Sequence, residues 1–297
     1  LIQDKSWGSR LFSVCNYVFL TAFALFCMLP FWVMAVASFT DDKELAVNGY
    51  WVWAKRWSLD AYRFVLAGRD IQVGYRTTVF VTVVGTLGSL IVMSGLAYVL
   101  SVRRFKHRRK LAFYVFFTMI FNGGMIPWFI TCRNILGLRD NIWALILPMM
   151  CNAFWVLVMR GFFESLPQEI MESAVLDGAS DATILYRIVL PLSKPVLATV
   201  ALFMAVYYWN DWFLGVMLLD FADFRPLAVI ILSMLRNIRS IQIAMQMEGS
   251  AAMTIDQLPT YSIRMTTAMV TIGPIILIVP FVQRYFVRGL TLGGIKG

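Results

Sequence analysis

Apolar residues dominate six long runs of the chain: Leu11 to Phe39, Thr78 to Leu100, Leu111 to Cys132, Asn141 to Met159, Pro195 to Leu219 and Met265 to Gln283. Each approaches or exceeds the about 20 residues that a helix needs to cross a hydrocarbon core about 30 Å thick. Five hold no Asp, Glu, Lys or Arg, and the run from Pro195 holds only Asp211. The pattern predicts an all-α polytopic membrane protein, six transmembrane helices in a single domain over residues 1–297. The first run is too long for a signal peptide and no small-residue cleavage site follows it, so a retained anchor is expected. The chain opens at Leu1 without an initiator Met, so a few N-terminal residues are expected to precede it.

Composition agrees with that pattern. Hydrophobic residues make up 60% of the chain and charged ones 14%, and the mean hydropathy is +0.72. Charged side chains cover soluble proteins, so a chain this poor in them needs lipid as its outer solvent. The net charge of +9 does not point to nucleic acid, because the basic residues flank the apolar runs. Arg103, Arg104, Lys106, Arg108, Arg109 and Lys110 crowd into one short loop, whereas the loop between the third and fourth runs holds Arg133 and Arg139. Short basic loops resist translocation, which assigns the crowded loop to the cytoplasm and, counting outwards, both termini as well. Lys5, Arg10, Arg284, Arg288 and Lys296 fit those termini. The long loops 40–77 and 220–264 fall outside, since long loops translocate largely regardless of charge. Beyond anchoring topology, the basic loop has the composition to bind anionic lipid or a partner.

Other chemistry is scarce. Cys15, Cys27, Cys132 and Cys151 lie in or beside apolar runs without paired or metal-ligand spacing, and they read as small packing residues. His107 is the single histidine, too few for a zinc-protease helix, and no metal site is expected. Neither a Gly-x-Ser-x-Gly elbow nor a phosphate-cradling Gly-Lys-Ser/Thr loop occurs, so the chain is expected to be no enzyme and to bind no cofactor.

The loop 160–194, expected on the cytoplasmic side, is patterned. Ser165 with Gln168 fits a capping box, and Pro167 suits a first turn. The predicted helix carries Glu169, Ile170, Met171, Glu172, Ala174 and Val175 and stops at Gly178. Ser180 or Asp181 caps a second helix running into Ile188, ended by Pro191 and Pro195. A short helix with an apolar face outside the membrane needs a surface to cover it: the chain's own helix ends, lipid, or a soluble partner.

Glu172-Ser173-Ala174, Gly178, Ile188 and Leu190-Pro191 are similar to the signature Glu-Ala-Ala, three residues, Gly, nine residues, Ile-any-Leu-Pro of permease subunits of binding-protein-dependent ABC importers. Ser173 stands where Ala is usual. Phe121-Asn122-Gly123-Gly124-Met125-Ile126-Pro127, Asn141-Ile142-Trp143-Ala144, Trp209-Asn210-Asp211-Trp212-Phe213 and the segment from Gly289 to Gly297 resemble the carbohydrate group related to the maltose importer's smaller permease. The likeness is strongest to the branch for oligosaccharides and polysaccharide fragments, which includes an alginate-oligosaccharide importer. The resemblance implies a type I importer permease fold in a bacterial inner membrane and import of an oligosaccharide by alternating access. The implied partners are a second permease, two ATPase subunits that use ATP and Mg, and an extracytoplasmic solute-binding protein. It implies ATPase docking by Glu172, Ser173, Ala174, Asp177, Gly178, Ile188, Leu190 and Pro191, and a cytoplasmic tail, 289–297, that reaches between the ATPases.

Two intramembrane clusters could line a solute path. Asn122, Gly123, Gly124 and Pro127 interrupt the third run and predict a kink, beside a cavity or simply where helices approach closely. Tyr207, Tyr208, Trp209, Asn210, Asp211 and Trp212 mix aromatic faces with amide and carboxylate groups, which suits either sugar binding or an interfacial aromatic belt. Asp211, an ionisable group within a predicted span, should face protein or water. The competing class is an ion-coupled carrier acting without ATPases, for which one off-centre Asp is slender support.

Overall fold

The computed structural model describes residues 7–234, 236 and 261–274. They belong to two compact units, Leu1–Gly68 with Met234–Ile272 and Arg69–Ser233 with Gly273–Gly297.

In the first unit α1 (Trp7–Ser38) is a long apolar helix, exposed along most of its length and buried only at Val36, Ala37 and Ser38. Asp41 caps α2 (Asp42–Asn48) by accepting from Lys43 N–H at 2.9 Å. The carboxylate of Glu44 accepts from Lys55 and Arg56 N–H at 2.9 and 2.6 Å, which folds loop 49–59 back before α3 (Asp60–Ala67). Residues 261–274 are helical. Asp42 Oδ1 accepts from Tyr261 and Ser262 N–H at 2.9 and 2.8 Å, satisfying free amides of that helix's first turn. This helix contains the start of the expected sixth span, and the rest of that run lies outside the described residues.

The second unit is organised around α4 (Arg69–Ser101). Its buried residues Ile71, Gly74, Thr78, Val81, Gly85, Ser89, Met93, Ala97 and Leu100 recur every three or four positions, the spacing of one helical face. That face packs chiefly on α7 (Ala153–Glu164) and α11 (Lys194–Trp209). At Gly85 the packing is tight, since a Cβ there would stand 2.6 Å from the Tyr208 ring. The Tyr208 hydroxyl then reaches Ser89 Oγ at 3.1 Å and donates to Ile146 O at 3.0 Å, tying three elements at one point.

Three of the expected spans are not straight helices. The third run is split into α5 (Arg108–Ile120) and α6 (Met125–Ile130) with a following π-helical turn, Thr131–Ile135, and the chain bends by 113° between the two parts. The fourth begins as 3-10 turns at Ile142–Leu145 and Leu147–Met149, then bends by 51° into α7. Asn152 makes that restart, its Oδ1 accepting from Phe154 N–H at 3.0 Å. The fifth run, expected to be continuous from Pro195 to Leu219, breaks between α11 and α12 (Phe213–Leu218). Among the described residues two helices, α1 and α4, are long and apolar enough to cross a membrane alone, and up to five spans result if three bent pairs each count as one: the two parts of the third run, the two parts of the fourth, and Asp181–Leu192 with Lys194–Trp209, which are bent by 84°.

Candidate functional site

The loop 160–194 begins where α7 ends. Ser165 Oγ donates to Phe162 O at 2.7 Å, so this hydroxyl closes α7 and the expected capping box with Gln168 does not form. Pro167 stands at the N-cap of α8 (Gln168–Leu176) instead. At the other end Gly178 has φ +81°, its N–H donates to Val175 O at 3.0 Å, and Ala179 N–H donates to Ala174 O at 2.9 Å. These paired bonds form the left-handed glycine stop that the sequence predicts. Ser180 accepts from Thr183 N–H at 3.2 Å and so caps α9 (Asp181–Ile184). The second helix does not end at Pro191. It continues through a π-helical turn, Leu185–Val189, into α10 (Leu190–Leu192), and Pro191 and Pro195 occupy the first turns of α10 and α11, where a missing N–H costs nothing.

Helix α8 turns Met171 and Ala174 inwards and leaves Glu169, Ile170, Glu172, Ser173, Val175, Leu176 and Asp177 exposed, Leu176 at 87%. Its outer face is therefore apolar and acidic together. Of the expected docking residues, Glu172, Ser173, Asp177, Gly178 and Pro191 are at the surface, and Ala174, Ile188 and Leu190 are partly buried beneath them. Arg104 of the basic loop pairs with Asp181 at the start of α9, which places the basic loop beside loop 160–194.

The expected solute-path residues separate into two groups. Asn122, Gly123 and Gly124 are exposed in the break between α5 and α6, with Gly124 at φ +89° and its N–H held by Asn122 Oδ1 at 2.9 Å. Asn210 is exposed and donates through Nδ2 to Val206 O at 2.9 Å. Asp211 is half-buried, with Oδ1 3.5 Å from Leu214 N–H in the first turn of α12. Tyr208 and Trp209, by contrast, are buried in the core, so in this conformation neither is offered to a solute. Tyr207 and Trp212 are the exposed aromatics of the cluster. The two broken runs meet beyond their breaks, where the Trp128 and Phe213 rings lie 5.4 Å apart.

A fourth cluster is not marked in the sequence, where Arg133 and Arg139 stand out only as charges. Asp140, at φ +48°, accepts through Oδ1 from the backbone N–H of Asp220, Phe221 and Ala222 at 2.7, 2.9 and 3.2 Å. Arg133 and Arg139 both bind Asp220 Oδ2, Arg139 Nε at 3.0 Å. The knot joins the loop after the third run to the end of the fifth. Gly137 followed by Asp140-Asn141 is a turn signal, but the partner 80 residues on is visible only in three dimensions. The hydrogen bond from Phe221 N–H above all, then those from Asp220 and Ala222 and the charge of Arg139, hold the Asp140 carboxyl below its ordinary 3.8 against an opposing effect of burial. A depressed carboxylate stabilises the fold above its unfolded pKa, and that contribution is lost as pH falls through the folded value. Asp140→Asn, which keeps shape and tolerates positive φ, should therefore lower the melting temperature at pH 7, with the gap to wild type closing below about pH 4. Equal melting at pH 7 would leave the knot without energetic weight.

Long or bent apolar helices carrying a structured, exposed helix-turn-helix loop mark an all-helical membrane protein. The chain belongs to the permeases of carbohydrate ABC importers, as similarity along its whole length shows. It is 40% identical over 289 residues to the polygalacturonan/rhamnogalacturonan transport system permease protein YtcP of Bacillus subtilis strain 168, covering 97% of this chain and 99% of that one. It is 27% identical to the inner membrane ABC transporter permease protein YcjP of Escherichia coli K12, covering the whole of both chains. Its fold matches a chain of a bacterial ABC transporter involved in the import of the acidic polysaccharide alginate, with TM-score 0.83 and 32% identity over 95% of this chain and 98% of that one. No protein-family model matches the chain. It is thus a multi-pass permease of the inner membrane and not itself an ATPase.

Proposed function

We propose that this chain pairs with a second permease, two ATPase subunits and an extracytoplasmic binding protein to import an acidic oligosaccharide by alternating access. The supporting observation is the exposed face of α8, set by the Gly178 stop and carrying Glu172 and Asp177 beside Ile170, Val175 and Leu176. An apolar surface rimmed with carboxylates suits a cationic, partly apolar groove on a soluble ATPase. In this reading six spans place both termini and loop 160–194 in the cytoplasm, and loop 220–264 outside. The tail 289–297 meets the ATPases, although it lies outside the described residues.

The solute path runs past Asn122, Gly123, Gly124, Asn210 and Asp211. Non-helical backbone inside a membrane is tolerated only against protein or water, and the exposed break at 121–124 is such a segment. Its amide and carbonyl groups match sugar hydroxyls. Acidic sugars are favoured because two similar proteins are named for polygalacturonan/rhamnogalacturonan and for alginate.

Reconstitution in liposomes tests this. Oligogalacturonate uptake should require ATP, both ATPases and the binding protein, and should exceed uptake of maltotriose. Uptake by this chain alone under an imposed ion gradient would overturn the reading in favour of an ion-coupled carrier.

A further inference from the structure

The contact between the basic loop and loop 160–194 is more specific than a shared side of the membrane requires. Asp181 Oδ1 accepts from two groups of one segment, the Arg104 guanidinium and the Tyr98 hydroxyl, the latter at 3.2 Å. Tyr98 is 6% exposed and lies on the last turn of α4, in the same core as Ile184, Leu185 and Val189 of the α9 limb. From Tyr98 to Arg104 the chain is held by Val102 N–H to Tyr98 O at 3.1 Å and Phe105 N–H to Val102 O at 3.2 Å, so Arg104 is carried on consecutive turns rather than on a loose loop. On the other side, Asp181 follows the Ser180 cap and the Gly178 stop, the joint that sets the angle between α8 and α9.

From this we infer that Arg104 is a positioning residue for coupling: with Tyr98 it holds Asp181, and through it fixes α8 to the end of α4, so that displacement of the docking helix is delivered to the central helix. The inference rests on loop 160–194 being the ATPase contact. An exposed ion pair adds little to stability, so its removal should leave folding intact and show in coupling. Charge counting would make Arg104 one topology anchor among six in its loop, and that role predicts no dependence on Asp181.

The test uses the whole complex in liposomes with oligogalacturonate and binding protein. Arg104→Gln should leave the ATPases co-purifying and basal hydrolysis unchanged, while solute-stimulated hydrolysis and solute moved per ATP fall roughly fivefold or more. Arg104→Glu should do the same more strongly, and the exchange Arg104→Glu with Asp181→Arg should recover stimulation relative to Arg104→Glu alone. A cysteine at Ser101, with native cysteines removed, should stay labelled from the cytoplasmic side in every variant. Wild-type stimulation in Arg104→Gln, or an exchange no better than the single reversal, overturns the proposal. Failure of the docking assignment reads differently: ATPases would then remain bound when α8 itself is altered at Glu172.

Discussion

Gly178→Val is expected to abolish most solute-stimulated ATP hydrolysis while leaving the permease inserted in the membrane. Gly178 sits at φ +81° and an added Cβ would have nothing within 4 Å, so the effect is expected from backbone conformation rather than from a clash at Cβ. A β-branched residue held there costs about 1–2 kcal/mol. The strain is relieved by rotating the joint between α8 and α9, which swings the acidic and apolar face of α8 away from its partner. Glu172→Lys, on that face, should weaken ATPase co-purification more than Glu172→Ala, because reversal adds repulsion where truncation only removes attraction. Normal association and normal stimulation in both Gly178→Val and Glu172→Lys would remove loop 160–194 from the coupling path.

The largest effect on folding is expected at Gly85. A Cβ at this position would lie 2.6 Å from the Tyr208 ring, so Gly85→Val must expel the ring or push α4 from α11. Overpacking of this kind costs about 1–3 kcal/mol. Expulsion also forfeits the hydrogen bonds of the Tyr208 hydroxyl to Ser89 and Ile146, each worth about 1 kcal/mol. The variant should therefore show a clearly lower melting temperature in detergent. Adding Tyr208→Ala should recover part of the loss, since the two side chains then no longer compete for one slot. Independent, additive losses would show that the two positions do not meet.

Much of the architecture is legible along the chain because lipid forces apolar runs and glycine or asparagine marks where the backbone must turn. The Gly178 stop, the Ser180 cap and the break at Asn122–Gly124 are local chemistry and are found where the sequence places them. Ser165 misleads because a serine three residues before Gln168 suits either a cap or the closure of the preceding helix, and only the position of Phe162 O decides. Continuity from Pro195 to Leu219 fails because Asn210 and Asp211 carry side chains that bond to nearby backbone and end a helix with neither glycine nor proline. Tyr208 looks exposed to a solute in sequence and is core in structure. Its slot is made by the missing side chain of Gly85, a complement that no local pattern records. The Asp140 knot is hidden for the same reason, its donors being backbone groups some 80 residues away.

That knot also bears on how an anionic sugar is recruited. Arg133 and Arg139 are the cations of their loop, and both are already matched by Asp140 and Asp220. Paired charges of opposite sign a few ångströms apart cast almost no field beyond a Debye length of about 8 Å. These arginines therefore supply little long-range steering for a carboxylated solute, however basic the sequence looks there. Discrimination for acidity falls to groups elsewhere in the assembly, and removing one charge of each sign together, as in Arg133→Gln with Asp220→Asn, should unsettle the knot without altering the salt dependence of uptake.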